Sequence, residues 1–161
     1  MPIIRPSTDA DLPAITAIYR HHVLHGTGTF EIDPPSEADM AARRADVLGR
    51  NLPWLVAEKD GEVLGFAYAN WFKPRPAYRF SAEDSIYVHD AARGQGVGRA
   101  VLEHILGQAV DLGYQRISLE TGSQPFFEPA WQLYLRYGFA DCAPFGSYRP
   151  DPHSRFMTRA L

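Results

Sequence analysis

Two stretches of this 161-residue chain hold groups whose type and spacing can do chemistry. The first is Arg93-Gly94-Gln95-Gly96-Val97-Gly98-Arg99, which follows the apolar run Ile86-Tyr87-Val88 and opens a helical pattern. A helix N-terminus carries unpaired N–H groups and a partial positive charge, so a corner stripped of side chains is an anion site. A Walker loop would need Gly-Lys-Ser/Thr here, and a dinucleotide fingerprint would need an early G-x-G-x-x-G with an acidic residue about 20 positions on. Neither pattern is met, and glycines that merely ease a tight turn remain the alternative. The second stretch is His21, His22 and His25, of which the first and last share a helix face. No carboxylate or cysteine partner stands at metal-ligand spacing, so solvated or packed histidines are expected and no metal.

The elements that must position these groups follow from periodicity. "IIR" reads as a strand running into a cap at Thr8 to Asp11, and Leu12, Ile15, Ile18 and Tyr19 recur at helical spacing until Gly26. Pro34 and Pro35 break the chain, and Ser36 caps a second helix through about Leu48. "WLVAEKDGEVLGFAYANWF" predicts a hairpin turning at Asp60-Gly61, and "DSIYV" a further strand. After the glycines, Val101, Leu102, Ile105, Leu106, Ala109 and Val110 form one apolar face ending at Gly113. "RISLE" is the next strand, Pro129 to Tyr137 a short helix stopped by Gly138, and "FADCAPF" and "SRFMTRAL" pair as closing strands. This order predicts an α/β (α+β) domain, a mixed sheet with helices on both faces, over residues 1–161 without repeat or linker.

Composition narrows the partners. With 45% hydrophobic and 22% charged residues the chain can bury a real core, and a formal charge of −3 without a basic cluster argues against nucleic acid. No apolar run approaches the ~20 residues of a membrane span, and the N-terminus lacks a signal-peptide core, so the chain reads as cytoplasmic. The single cysteine, Cys142, allows no internal disulfide and reads as a small buried residue in a strand.

The corner from Arg93 to Gly98, placed after its strand, resembles the R/Q-x-x-G-x-G/A motif of the GNAT superfamily of N-acetyltransferases, and the element order is that of this fold. The resemblance implies a mostly antiparallel sheet splayed between two central strands. It implies acetyl-CoA as co-substrate, its pyrophosphate on the backbone N–H groups from Arg93 to Arg99 and its pantetheine arm beside Ile86, Tyr87 and Val88. Over about residues 1–106, "IRPSTDADLPAITAIY", "TFEIDP" and "KPRPAYRFSAEDSIYV" are similar to the phosphinothricin and methionine sulfoximine acetyltransferase subgroup. That likeness implies a homodimer and a small amino acid as acceptor, with Phe30, Lys73, Arg75 and Tyr78 in substrate handling and Glu83 as general base. The last third, "LETGSQPFFEPAWQLYLRYGF" onward, resembles a different GNAT subgroup.

Transfer of an acyl group from a thioester to an amine needs a neutral amine, a stabilised oxyanion and a proton for the thiolate. Glu83 lies among aromatic residues, where desolvation raises a carboxylate pKa; a solvated strand-end charge or a salt bridge to Arg75 or Arg79 is the alternative. The oxyanion donor implied is the N–H of Val88. Tyr134 falls where many GNAT enzymes place the acid for the thiolate, and where Leu133, Tyr134 and Tyr137 also make an ordinary apolar helix face. These parts describe direct transfer in a ternary complex onto an amino acid α-amine. Another small amine or a peptide N-terminus as acceptor, or an inactive acetyl-CoA-binding module, is the alternative.

Overall fold

A computed structural model describes residues 1–26, 29–72 and 80–161. Seven strands form a mixed, mostly antiparallel sheet: β1 (Ile3–Pro6), β2 (Trp54–Lys59), β3 (Glu62–Trp71), β4 (Ser81–Val88), β5 (Arg116–Gly122), β6 (Ala140–Asp141) and β7 (Ser154–Ala160). With helices α1 (Leu12–His25), α2 (Glu37–Gly49), α3 (Val97–Asp111) and α4 (Glu128–Arg136), the chain follows the order that periodicity predicts. Hydrogen-bonded neighbours run β1-β2-β3-β4-β5-β7-β6. The chain divides into two compact units, Met1–Ala69 with Ile86–Ile105, and Asn70–Ser85 with Leu106–Leu161.

The first unit is built around β1, β2, β3 and the end of β4. Asp60 and Gly61 both have positive φ, 53° and 80°, the two-residue turn that matches strand twist. A register shift makes Leu64 an extra residue in β3, and its carbonyl accepts the His89 N–H at 2.7 Å, fixing where β4 ends. A Cβ on Gly65 would stand 2.9 Å from the Tyr87 carbonyl, so only glycine allows β4 this close. Trp54 stacks on Tyr68 at 4.2 Å and on Phe66 at 5.8 Å, over a core of Ile15, Val56, Val101 and Ile105. Ser36 caps α2 as expected: its hydroxyl accepts the Asp39 N–H at 3.1 Å and Asp39 accepts the Ser36 N–H at 2.9 Å.

The second unit is organised by the β5–β7 ladder, whose seven antiparallel pairs run from Arg116↔Ala160 to Gly122↔Ser154. On its other edge β5 pairs in parallel with β4, but only at Ser81↔Arg116, Ala82↔Ile117 and Glu83↔Ser118. The strands themselves run on, β4 to Val88 and β5 to Gly122. Helix α4 is closed by Gly138 at φ 84°, with the Phe139 N–H donating to the Tyr134 carbonyl at 3.1 Å.

Two expectations are corrected. Val110 does not join the apolar face of α3 but is 56% exposed, because the spacing Leu102, Leu106, Val110 drifts by about 40° per step around a helix. Cys142 lies just past the two-residue β6 and is half-buried, since the strand read from "FADCAPF" pairs only at Ala140 and Asp141.

One ion-pair cluster ties β1, β2 and the turn before α1. Arg5 donates to both carboxylate oxygens of the buried Asp11 at 2.8 Å and to Glu58 at 2.7 Å, and Asp11 also accepts the Thr8 N–H at 2.7 Å. The Arg5 guanidinium lowers the Asp11 pKa to about 2. Because the native pKa lies below the unfolded value, this stability is present above pH ~4 and is lost as pH falls towards ~2. We predict that Asp11→Asn costs about 2 kcal/mol at pH 7 and flattens that acid limb, measured by urea unfolding across pH. An unchanged acid limb would show that Asp11 is not its source.

Candidate active site

The glycine corner lies in the first unit. His89 caps a 3-10 turn at Asp90–Ala92 by accepting the Ala91 N–H at 3.1 Å. Gly94 and Gly96 then take φ of 75° and 81°, and no atom lies within 4 Å of where their Cβ atoms would be. Left-handed residues alternating with ordinary ones turn successive N–H groups into one concavity, and the chain opens at once into the 15-residue α3. Val97 buries its side chain to 2% exposure and anchors the helix start, and Gly98 continues the first turn. Arg93 stands 3.7 Å from Asp90, Gln95 donates to the Ala91 carbonyl at 3.3 Å, and Arg99 pairs with Glu103 at 3.1 Å.

The strand before the corner is held by packing and by hydrogen bonds. Ile86, Tyr87 and Val88 are half-buried, and the Tyr87 ring meets Tyr19 edge-on at 5.1 Å and Phe66 at 5.3 Å. His22 is spoken for, since its Nε2 lies 2.9 Å from the Val88 carbonyl and burial lowers its pKa. Both polar groups of the Val88–His89 peptide are therefore taken, which pins the strand end that presents the Val88 N–H. His21 and His25 stand 5.1 Å apart, and among the described residues no three His, Cys, Asp or Glu side chains come together for a metal.

A set of carboxylates lies in the second unit, where the β4–β5 ladder stops. Glu83 is the last residue of β4 paired with β5. Burial raises its pKa, and the Tyr148 hydroxyl, donating to Oε1 at 2.5 Å, lowers it in part. Glu120, two residues beyond the Glu83 partner Ser118 on β5, shares that sheet face. Burial, with the Glu83 and Asp151 charges adding to it, pushes Glu120 up to about 7. Tyr148 sits in a turn with Phe145 and packs on Phe156, which faces Glu120 across the β5–β7 ladder. Neither Glu120 nor Tyr148 follows from the sequence reading: one looks like any strand residue, and the other lies in a loop without periodicity.

Asp84 points to the opposite face by strand alternation and is only 3% exposed. Neither of its carboxyl oxygens has a hydrogen-bond partner among the described residues. Burial and then the Glu83 charge push its pKa up to about 8. Tyr134, at 8% exposure, packs against Phe139 at 5.3 Å. Burial, then the Asp84 and Glu120 charges, raise its pKa well above that of a free phenol. The expected match between Tyr134 and a thiolate is therefore poorer than an exposed tyrosine would give. Phe30 is 59% exposed, and Lys73, Arg75 and Tyr78, together with Arg79, lie outside the described residues.

Residues 16–139 match the acetyltransferase (GNAT) family. The chain is 58% identical over 99 residues to the phosphinothricin N-acetyltransferase of Alcaligenes faecalis, covering 62% of this chain and 50% of that one. It is 38% identical over 109 residues to the L-methionine sulfoximine/L-methionine sulfone acetyltransferase of Salmonella typhimurium, covering 66% of this chain and 62% of that one. The chain thus spans half to under two thirds of the length of these curated relatives. Among solved structures, a GNAT superfamily phosphinothricin acetyltransferase from Sinorhizobium meliloti, in complex with AcCoA, superposes with a TM-score of 0.89 at 38% identity. That superposition covers 99% of this chain and 88% of the other.

The burial of Asp84 has a consequence for stability that is independent of turnover. A carboxyl whose native pKa is raised to about 8 stays protonated while the unfolded chain ionises. Its contribution is fully present below pH ~4 and is lost as pH rises towards ~8, a sign opposite to that of Asp11. We predict that Asp84→Asn is more stable than the parent at pH 8 by a few kcal/mol, at the upper end of carboxyl burial effects, and loses that slope. Parallel pH–stability curves for the two proteins would show that Asp84 ionises normally.

Proposed function

The chain belongs to the acetyltransferase (GNAT) family, and we propose that it transfers the acetyl group of acetyl-CoA to the α-amine of a small amino acid, directly and without a covalent enzyme intermediate. The whole 161-residue chain acts as one catalytic domain in this reading. The observation that carries it is Glu83, a desolvated carboxylate held by Tyr148 at the end of the β4–β5 ladder with Glu120 on the same face.

An incoming amine arrives as an ammonium ion and must lose a proton before it can attack. Two half-desolvated carboxylates attract that cation, and the raised pKa of Glu83 makes it a stronger base than an exposed glutamate. Tyr148 fixes which Glu83 oxygen is engaged and leaves the other for the amine. The acidic pair accounts for the amine end of the acceptor, and the carboxylate end falls to Lys73 and Arg75, with Phe30 and Tyr78 as walls. Phosphinothricin and methionine sulfoximine, named by the relatives' activities, carry both ends.

The corner fits the phosphates of acetyl-CoA. Gly94 and Gly96, at positive φ with open space where a Cβ would stand, leave the backbone ahead of α3 open to an anion, with the Arg93 N–H itself held by the Asp90 carbonyl. Acetyl-CoA supplies the activated thioester. The chain's part is to hold it, to take the amine proton at Glu83, to steady the oxyanion with the Val88 N–H, and to return a proton to the thiolate from the Tyr134 side.

Thiol release from acetyl-CoA should be seen with phosphinothricin or methionine sulfoximine and be absent with spermidine or kanamycin. Glu83→Gln should lower kcat by roughly 100-fold, the loss of a general base. Gly96→Asp, which sets a side chain and a negative charge in the concavity, should weaken acetyl-CoA binding by at least 10-fold in calorimetry. Acetyl-CoA binding without thiol release to any amine would make the protein a binding module. Preference for polyamines would overturn the amino acid assignment.

A further inference from the structure

The segment 29–32 of the first unit is held by polar contacts and buries little of its apolar surface. Thr29 and Glu31 are each fastened to a helix, yet Phe30 between them is 59% exposed and Ile32 after them 86%. Fixing backbone costs conformational entropy, and burial of a segment's own apolar side chains is the usual offset. Here hydrogen bonds and an ion pair hold the backbone while the aromatic ring stays largely in solvent. A fixed segment that presents an aromatic ring is what a small-molecule site requires.

One residue of each helix does the fastening. On α1, the hydroxyls of Tyr19 and Thr29 share a hydrogen bond of 3.1 Å, and Thr29 Oγ1 also accepts the Glu31 N–H at 3.2 Å in a local turn. On α2, Arg43 pairs with Glu31 Oε1 at 2.6 Å and stands 5.8 Å from the centre of the Tyr19 ring. The contacts close on one another: α1 holds Thr29, α2 holds Glu31, and Arg43 meets Tyr19. Tyr19 itself is rigid, at 6% exposure, and its ring meets Tyr87 of β4 edge-on at 5.1 Å. One side chain thus touches both the strand read as the bed of the pantetheine arm and the segment that carries Phe30. All of these groups lie within the first unit.

We propose that Tyr19, with Arg43, is a positioning residue for the acceptor: the two fix segment 29–32 relative to β4 so that Phe30 stands as a ready-made wall for the side chain of a small amino acid. This rests on the acetyl-transfer reading and adds to it the residues that set acceptor affinity. Neither Tyr19 nor Arg43 touches the reacting atoms. A small acceptor has few contacts with which to order a loose segment, so a wall that must be fixed at the moment of binding weakens it. Tyr19→Phe keeps the ring and its contact with Tyr87 and removes only the hydroxyl that holds Thr29.

Steady-state kinetics with methionine sulfoximine test the assignment. Tyr19→Phe and Thr29→Val should each raise the acceptor KM about 10-fold, with kcat and the calorimetric Kd for acetyl-CoA within about two-fold of wild type. Thr29→Ser, which keeps the hydroxyl, should bring the KM back to within about two-fold. The double variant should be no worse than either single one, because both remove the same bond. Arg43→Gln, which breaks the ion pair from the other helix, should raise the same KM several-fold. Where Tyr19→Phe fails to fold, the half-buried Thr29 position carries the test through Thr29→Val and Thr29→Ser. An active wild type whose acceptor KM is unmoved in the folded variants overturns the positioning role alone and leaves Tyr19 to packing. A changed oligomeric state in these variants without a changed KM also overturns it, and gives the exposed ring to a second copy of the chain. A wild type that releases no thiol with any amine overturns the acetyl-transfer reading, and the positioning role with it.

Discussion

Desolvation of carboxylates where a strand ladder ends is the constraint on which the candidate site of this protein depends. In the second unit, β5 has a seven-pair partner in β7 but only three pairs with β4. Had the parallel ladder continued, the next residues of β4 would have been ordinary strand positions. Because it stops at Glu83, the carboxyl groups at 83 and 84 stand at the end of that ladder, Glu83 half-buried and Asp84 buried. A charge in such a place must be neutralised or paired, and the chain does one at each position. Glu83 has a hydroxyl donor in Tyr148, and Asp84 keeps its proton.

The same chain uses a carboxylate in the opposite way in the first unit. Asp11 is as buried as a catalytic group, yet a bidentate guanidinium and a backbone N–H hold it firmly ionised. The contrast shows that burial by itself does not decide protonation; the available donors do. Among the described residues the charge felt at Asp84 is that of another carboxylate, Glu83, so electrostatics adds to desolvation where at Asp11 it opposes it.

Most of the fold was legible in the sequence because its signals are local. The Ser36 cap, the Asp60-Gly61 turn and the glycines after Val88 each act through backbone conformation within a few residues, and the structure has all of them. The site was legible only in part. Glu83 was found through a family position, not through its surroundings, since alternation tells which face a residue takes but not how deep that face lies. Depth is what separates Asp84 and Glu120 from solvated strand charges, and it comes from pairings as distant in sequence as Glu120↔Phe156. Tyr148 reaches Glu83 across 65 positions from a loop that carries turn signals alone. The same limit explains Val110, whose apolar character matches the α3 stripe while its angle does not.

The central claim is that this cluster of carboxyls is protonated where ordinary carboxyls are not, and one measurement reaches it without any substrate. Side-chain carboxyl carbons followed by NMR from pH 3 to pH 9, assigned through Glu83→Gln, Asp84→Asn and Glu120→Gln, report each ionisation separately. The account predicts a midpoint near 8 for Asp84, one near 7 for Glu120 and one above the ordinary glutamate value for Glu83. Midpoints for all three close to about 4, the value of exposed carboxyls, would contradict it.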